Sequence, residues 1–292
     1  MSDPAQVLHN FQPTKEFFIG IDSDGCVFDS MEIKHQECFA PMFIKHFGLQ
    51  AVSKYAREVW TFVNLYSKTR GCNRFHAVLR ALDIMRKRKE VRARGVKVPY
   101  FPALVEWVQR ETKLGNATLN AEVASNNKGL LPIKAWSDAV NATVKDIAHG
   151  VPPFPLVSET LAKSQTQANC IVISQTPTEA LEREWAENDI VKFVEIIAGQ
   201  EMGTKTEHLE FVAKGKFRTN KILMIGDAPG DQSAATDNGA LFFPINPGKE
   251  EVSWERLHNE GMDRFFAGTF AGDYQRQLLD EFEGCLPENP SW

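Results

Sequence analysis

The sequence has no apolar run approaching the roughly 20 residues needed to cross a bilayer. Its first 16 residues are polar and hold no apolar h-region, so no signal peptide is expected there. Cysteine is sparse. Cys26, Cys38, Cys72, Cys170 and Cys285 are scattered, odd in number and form no C-x-x-C pair. That spacing speaks against a disulfide framework or a zinc site and fits reduced thiols in a reducing compartment. A cytoplasmic location is therefore expected. An excess of basic residues is also missing. The formal net charge of −5 gives no general case for nucleic-acid binding. Neither a nucleic acid nor a membrane is expected as a partner, and the oligomeric state stays open. There is no internal repeat and no low-complexity tract.

What is present suits a folded domain. Of 292 residues, 43% are apolar and 24% charged, enough for one large domain or two modest ones. Two textures alternate along the chain. Short apolar runs at Phe17–Ile21, Cys170–Ile173, Val194–Ile197, Ile222–Ile225 and Leu241–Phe243 each end in a small or acidic residue or in proline. Runs this short and this apolar suit strands buried on both faces of a parallel sheet. Helical patterns lie between them, at Thr178 to Asn188 and Thr206 to Ala213. The alternation predicts a doubly wound, mainly parallel α/β sheet of five strands or more, Rossmann-like in plan.

Residues from about 31 to about 150 differ. Val59, Phe62, Val63 and Tyr66, then Phe75, Val78, Leu79, Leu82 and Met85, recur at helical spacing, with no convincing strand. This segment reads as a helical insertion between the first and second strands. Gly150-Val151-Pro152-Pro153-Phe154-Pro155 is the return linker. The expected division is a core of 1–30 and 151–292 and a helical domain of 31–150.

In such a sheet, ligands bind beyond the carboxyl ends of the strands. Asp22, Ser23, Asp24 and Gly25 follow the first strand. Ser174 follows the second. Gly226, Asp227 and then Asp231 follow the fourth. Lys205 sits beyond the third, in a loop leading into a helix. Acids meeting at one edge repel each other unless a divalent cation sits among them. Oxygen ligands without His or Cys point to Mg2+. A phosphate bound there needs donors opposite the metal, and Lys205 and Ser174 are of the right type. A carboxylate can attack phosphorus. A second carboxyl two residues away can serve the leaving oxygen and then water. Taken singly, D-x-D-G is an acidic turn, Ser174 a helix cap, Lys205 a surface lysine and Asp231 a cap. Their joint order carries the reading.

At these residues the chain resembles the haloacid dehalogenase superfamily. Asp22-Ser23-Asp24-Gly25-Cys26-Val27-Phe28-Asp29 resembles its first motif, Ser174 the second and Lys205 the third. Gly226-Asp227-Ala228-Pro229-Gly230-Asp231 resembles the fourth. The resemblance implies that Asp22 is the nucleophile and Asp24 the general acid/base. It implies that Ser174 and Lys205 hold the phosphoryl group. It also implies that Asp22, the backbone carbonyl of Asp24, and Asp227 bind magnesium, with Asp231 acting at the metal directly or through water. The helical insertion is similar to the family's cap of the first type. Cys26 replaces the common threonine, and Lys34, followed by His35, stands where many members carry histidine.

Residues 68–97 hold eleven Lys or Arg and two acids. A solvated helix face explains most of them. Arg70 and Arg74, near the start of a helix, are the candidates for substrate contact. The expected activity is Mg2+-dependent hydrolysis of a small phosphorylated metabolite. The alternatives are a phosphomutase acting on a phosphosugar and a non-catalytic binding or regulatory protein on an inherited core.

Overall fold

The computed structural model describes residues 3–292. Five strands form one sheet: β1 (Phe17–Ile21), β2 (Ala168–Ile173), β3 (Ile196–Ala198), β4 (Ile222–Gly226) and β5 (Leu241–Pro244). All pairings are parallel, and the order across the sheet is β3-β2-β1-β4-β5. The central strand β1 is buried along its whole length. Side chains alternate between faces. Phe17, Ile19 and Ile21 join one apolar cluster with Val172, Leu223, Leu181 and Trp185. Phe18 joins another, with Ile171, Met224, Leu209 and Val212. Two-sided burial explains why the strands read as unbroken apolar runs rather than as alternating ones.

Four helices lie in the crossovers between successive strands, α1 (Val157–Ser164), α2 (Thr178–Glu187), α3 (Lys205–Val212) and α4 (Pro229–Asp237), and α5 (Glu250–Arg256) and α6 (Asp273–Cys285) follow β5. Two boundaries differ from the sequence reading. The third strand begins at Ile196 rather than Val194, and a short 3-10 turn at Val191–Phe193 precedes it by two residues. Lys205 is the first residue of α3 rather than part of a loop. Thr204 caps that helix by accepting from the Glu207 N–H at 3.2 Å, while the Glu207 carboxylate accepts from the Thr204 N–H at 2.7 Å.

The chain divides into two compact units. One comprises the residues up to Ser30 together with Gly150–Pro287, and contains the sheet. The other comprises Met31–His149 and Glu288–Trp292 and, among the described residues, is helical without strands. Its core gathers Phe43, Trp60, Phe75, Val78, Leu82, Trp107 and Trp136. The tail corrects the expected division. Glu288–Trp292 falls in the sheet-bearing core on the sequence reading but packs with the helical unit. The Trp292 ring lies 5.6 Å from Phe62, the Arg88 guanidinium stands 4.6 Å over it, and Arg80 donates to the Glu288 carbonyl at 2.5 Å. No described helix is long and apolar enough to cross a membrane, and none of the five cysteines is in a disulfide.

His208, on α3, is fully buried. Burial, and then the nearby charge of Lys205, push its pKa down to about 4. An unfolded histidine titrates near 6.5, so between these values the unfolded chain binds more protons than the folded one. Stability is therefore complete above about pH 6.5 and falls as the pH drops toward 4, by up to about 3 kcal/mol from this group. Urea unfolding at pH 7 and pH 4.5 is expected to show the loss, and His208→Leu to reduce it.

Candidate active site

The site begins with the register of β1. Ile21 lies between Val172 of β2 and Ile225 of β4, so the residues following all three strands emerge at one edge. The Asp22 N–H continues the ladder by donating to the Ile225 carbonyl at 2.9 Å. The Ser174 N–H donates to the Ala198 carbonyl at 3.0 Å, which fixes Ser174 at the end of β2. Beyond Asp22 the chain turns back. Gly25 takes the left-handed region at φ +78°, which a glycine enters at little cost, and its N–H reaches the Phe28 carbonyl at 2.8 Å.

Asp22, Asp227 and Asp231 come together and are all buried. Each offers an oxygen within 4.8 Å of the others. Lys205 joins them. Its ammonium is 2.7 Å from Asp22 Oδ2 and 2.6 Å from Asp231 Oδ1. The Ser23 N–H donates to Asp22 Oδ1 at 2.8 Å. Asp231 also closes the start of α4. Its Oδ2 accepts from the N–H groups of Asp227 at 3.2 Å and Ala228 at 3.0 Å. This close approach requires Gly226. A β-carbon there would stand 2.4 Å from Cβ and Cγ of Asp231.

Three buried carboxylates facing one ammonium leave an excess of negative charge. Burial pushes the Asp22 carboxyl well above its ordinary value; the charge of Lys205 opposes this, and those of Asp231 and Asp227 add to it. Burial acts to lower the pKa of Lys205, but Asp22 and Asp231, by charge and by hydrogen bond, outweigh it and hold it above the usual lysine value. Lys205 therefore carries its charge, and the remaining imbalance suits a divalent cation among oxygen donors. Among the described residues, Asp22, Asp227 and Asp231 form the cluster that could hold one.

Asp24 is half-buried at the rim, and two hydroxyls hold its carboxylate. Thr176 donates to Oδ2 at 2.7 Å, and Ser30 donates to Oδ1 in a short hydrogen bond. Neither hydroxyl stands out in the sequence. Thr176 lies two residues beyond Ser174, and its own N–H donates to Ser174 Oγ at 3.2 Å. Its position just after a strand end is the one signal the sequence offers. Arg70 and Arg74 belong to the helical unit. Arg70 is buried and donates to the Leu65 carbonyl at 2.9 Å. Arg74 donates to Asn141 Oδ1 at 2.7 Å and Ser137 Oγ at 3.2 Å, with its guanidinium 5.0 Å over the Phe39 ring.

Residues 110–244 match the family model described as haloacid dehalogenase-like hydrolase. That stretch carries Ser174, Lys205, Asp227 and Asp231, and Lys205 ties Asp22 to it. Over that stretch the chain is similar to the haloacid dehalogenase-like hydrolases. No curated protein matches the sequence. Among solved structures, a phosphonoacetaldehyde hydrolase-like protein from Oleispira antarctica is 10% identical, with a TM-score of 0.51 over 95% of this chain and 88% of the other. At that identity the likeness shows the fold. YfnB from Bacillus subtilis, solved bound to magnesium, is 11% identical, with a TM-score of 0.48 over 84% of this chain and 100% of the other. A haloacid dehalogenase-like family hydrolase from Streptococcus pneumoniae is 12% identical, with a TM-score of 0.43 over 83% and 92%.

Gly226→Ala is expected to push Asp231 off its two amides and away from Lys205. Divalent-cation affinity, measured by titration calorimetry, should fall by about 10- to 100-fold. Wild-type affinity in this variant would show that the close packing of Gly226 on Asp231 does not support the cluster.

Proposed function

We propose that this chain is a haloacid dehalogenase-type, Mg2+-dependent phosphatase that hydrolyses a small phosphomonoester through a phosphoaspartyl intermediate on Asp22. The observation that carries the reading is the Lys205 ammonium bridging Asp22 and Asp231, with a second carboxylate, that of Asp24, two residues further along the same loop. A bound magnesium ion, held by Asp22, the Asp24 carbonyl, Asp227 and, directly or through water, Asp231, would offset phosphate charge and lower repulsion toward the attacking carboxylate.

The remaining chemistry belongs to the chain. An Asp22 oxygen attacks phosphorus while the ester P–O bond breaks. Asp24 gives its proton to the leaving alkoxide, which departs as an alcohol. Asp24, now ionised, takes a proton from water. The resulting hydroxide attacks the aspartyl phosphate, freeing phosphate and restoring Asp22. Lys205 and the Ser174 hydroxyl hold the phosphoryl oxygens, and Lys205 keeps Asp22 oriented. Asp24 favours phosphate esters over substrates that need no leaving-group acid. The helical unit serves as the cap that selects substrate and excludes water. Arg70 and Arg74 are its proposed substrate contacts. Burial lowers the pKa of Arg74 to about 10, which leaves it charged at neutral pH. A cytoplasmic enzyme acting on a phosphorylated metabolite fits this chemistry.

An aryl phosphate with Mg2+ is the first substrate to try, followed by a panel of phosphorylated metabolites scored for free phosphate and for isomerised product. Asp22→Asn should lower kcat by ~10³-fold or more. Asp24→Ala should lower it by about 10²–10⁴-fold. Chelation should abolish turnover, and added Mg2+ should restore it. Unchanged turnover in Asp22→Asn would overturn the proposal, and isomerised product without free phosphate would replace hydrolysis by a mutase reaction.

A further inference from the structure

Ser23 stands between the two proposed catalytic acids and is fully buried. All three of its polar positions are engaged. Its N–H donates to Asp22 Oδ1 at 2.8 Å. Its carbonyl accepts from the N–H groups of Val27 at 2.9 Å, Phe28 at 3.2 Å and Cys26 at 3.3 Å. Its hydroxyl accepts from the Trp185 indole N–H at 3.0 Å. Ser23 is therefore the hub of the loop and supplies one of the donors that fix the Asp22 carboxylate. Trp185 is fully buried on α2, the helix that follows Ser174 and Thr176, and its ring also meets Phe28 edge-on at 6.1 Å. A second indole, that of Trp254 on α5, donates to the Cys26 carbonyl at 2.7 Å and steadies the far side of the same turn.

A buried hydroxyl or indole N–H without a partner is costly, so Ser23 and Trp185 are matched to each other. The loop cannot shift without breaking that bond, and any shift of Ser23 moves the donor on Asp22 Oδ1. We propose that Trp185 is a positioning residue: through the Ser23 hydroxyl it locks the loop in the geometry that presents Asp22 and Asp24 to substrate. The proposal rests on the phosphatase reading for its kinetic consequence. Its structural half, a loop tied at Ser23 by the Trp185 indole, does not.

The test compares Trp185→Phe, which keeps an apolar ring but removes the N–H, with Ser23→Ala, which removes the acceptor, and with the double variant. Hydrogen exchange across residues 22–28 and aryl phosphate kinetics are read together. Each single variant should exchange faster in this segment. Each should also lose about tenfold in kcat with KM within about twofold. The double variant should lose no more than the worse single one, because one bond is broken in all three. Wild-type exchange across 22–28 in the single variants would overturn the proposal. So would unchanged kcat accompanied only by a lower Tm, the signature of a purely structural contact. If Trp185→Phe does not fold, Ser23→Ala and its exchange profile decide. If the wild-type protein hydrolyses no phosphate ester, the phosphatase reading fails and exchange alone judges the lock.

Discussion

The arrangement depends on one half-buried ammonium. Lys205 sits between Asp22 and Asp231, and without it three buried carboxylates would face one another with no cation between them. Its two short contacts join residues from three separate strand ends into one unit. Lys205 can take this place because Thr204 and Glu207 fix the first turn of α3, so the lysine leaves a capped helix start rather than a loose loop. The same economy appears at Asp231, which completes the α4 terminus with one oxygen and meets Lys205 with the other. Residues that build the helix ends also build the site.

The sheet supplies the rigidity this requires. Its central strand is buried on both faces, and its two neighbours carry Ser174 and Asp227 at their ends. Strand order therefore decides which residues can meet: β2 and β4 flank β1, while β3 and β5 stand at the edges. The loop beyond β1 is held from within by the Ser23 carbonyl and from outside by two indoles. Polar atoms at strand ends are thus committed to partners before any substrate arrives, and little reorganisation is left for the reaction.

Much of the fold is legible because burial on both faces leaves a local mark. Short apolar runs ending in Asp, Ser or Gly reveal the strands of a parallel sheet, and the helical spacing of Phe75, Val78, Leu82 and Met85 reveals the inserted unit. The acids and Lys205 are legible from their places at strand ends. Other features are not. The third strand starts only at Ile196, two residues beyond the 3-10 turn of Val191–Phe193, and the capping pair of Thr204 and Glu207 shows its meaning only at the folded start of α3. The tail reads as part of the sheet-bearing core, although Trp292 finds Phe62 and Arg88 in the helical unit. A terminal aromatic residue carries no local signal of which unit it will join.

By itself the sequence determined the kinds of elements, their order and the chemical types at each strand end, because periodicity and turn chemistry act over a few residues. Tertiary structure decided the partners. Thr176 reaches Asp24 across 152 residues and Trp185 reaches Ser23 across 162. Hydrogen bonds of that span are set by the packing of a helix against a particular strand, and no local pattern encodes them.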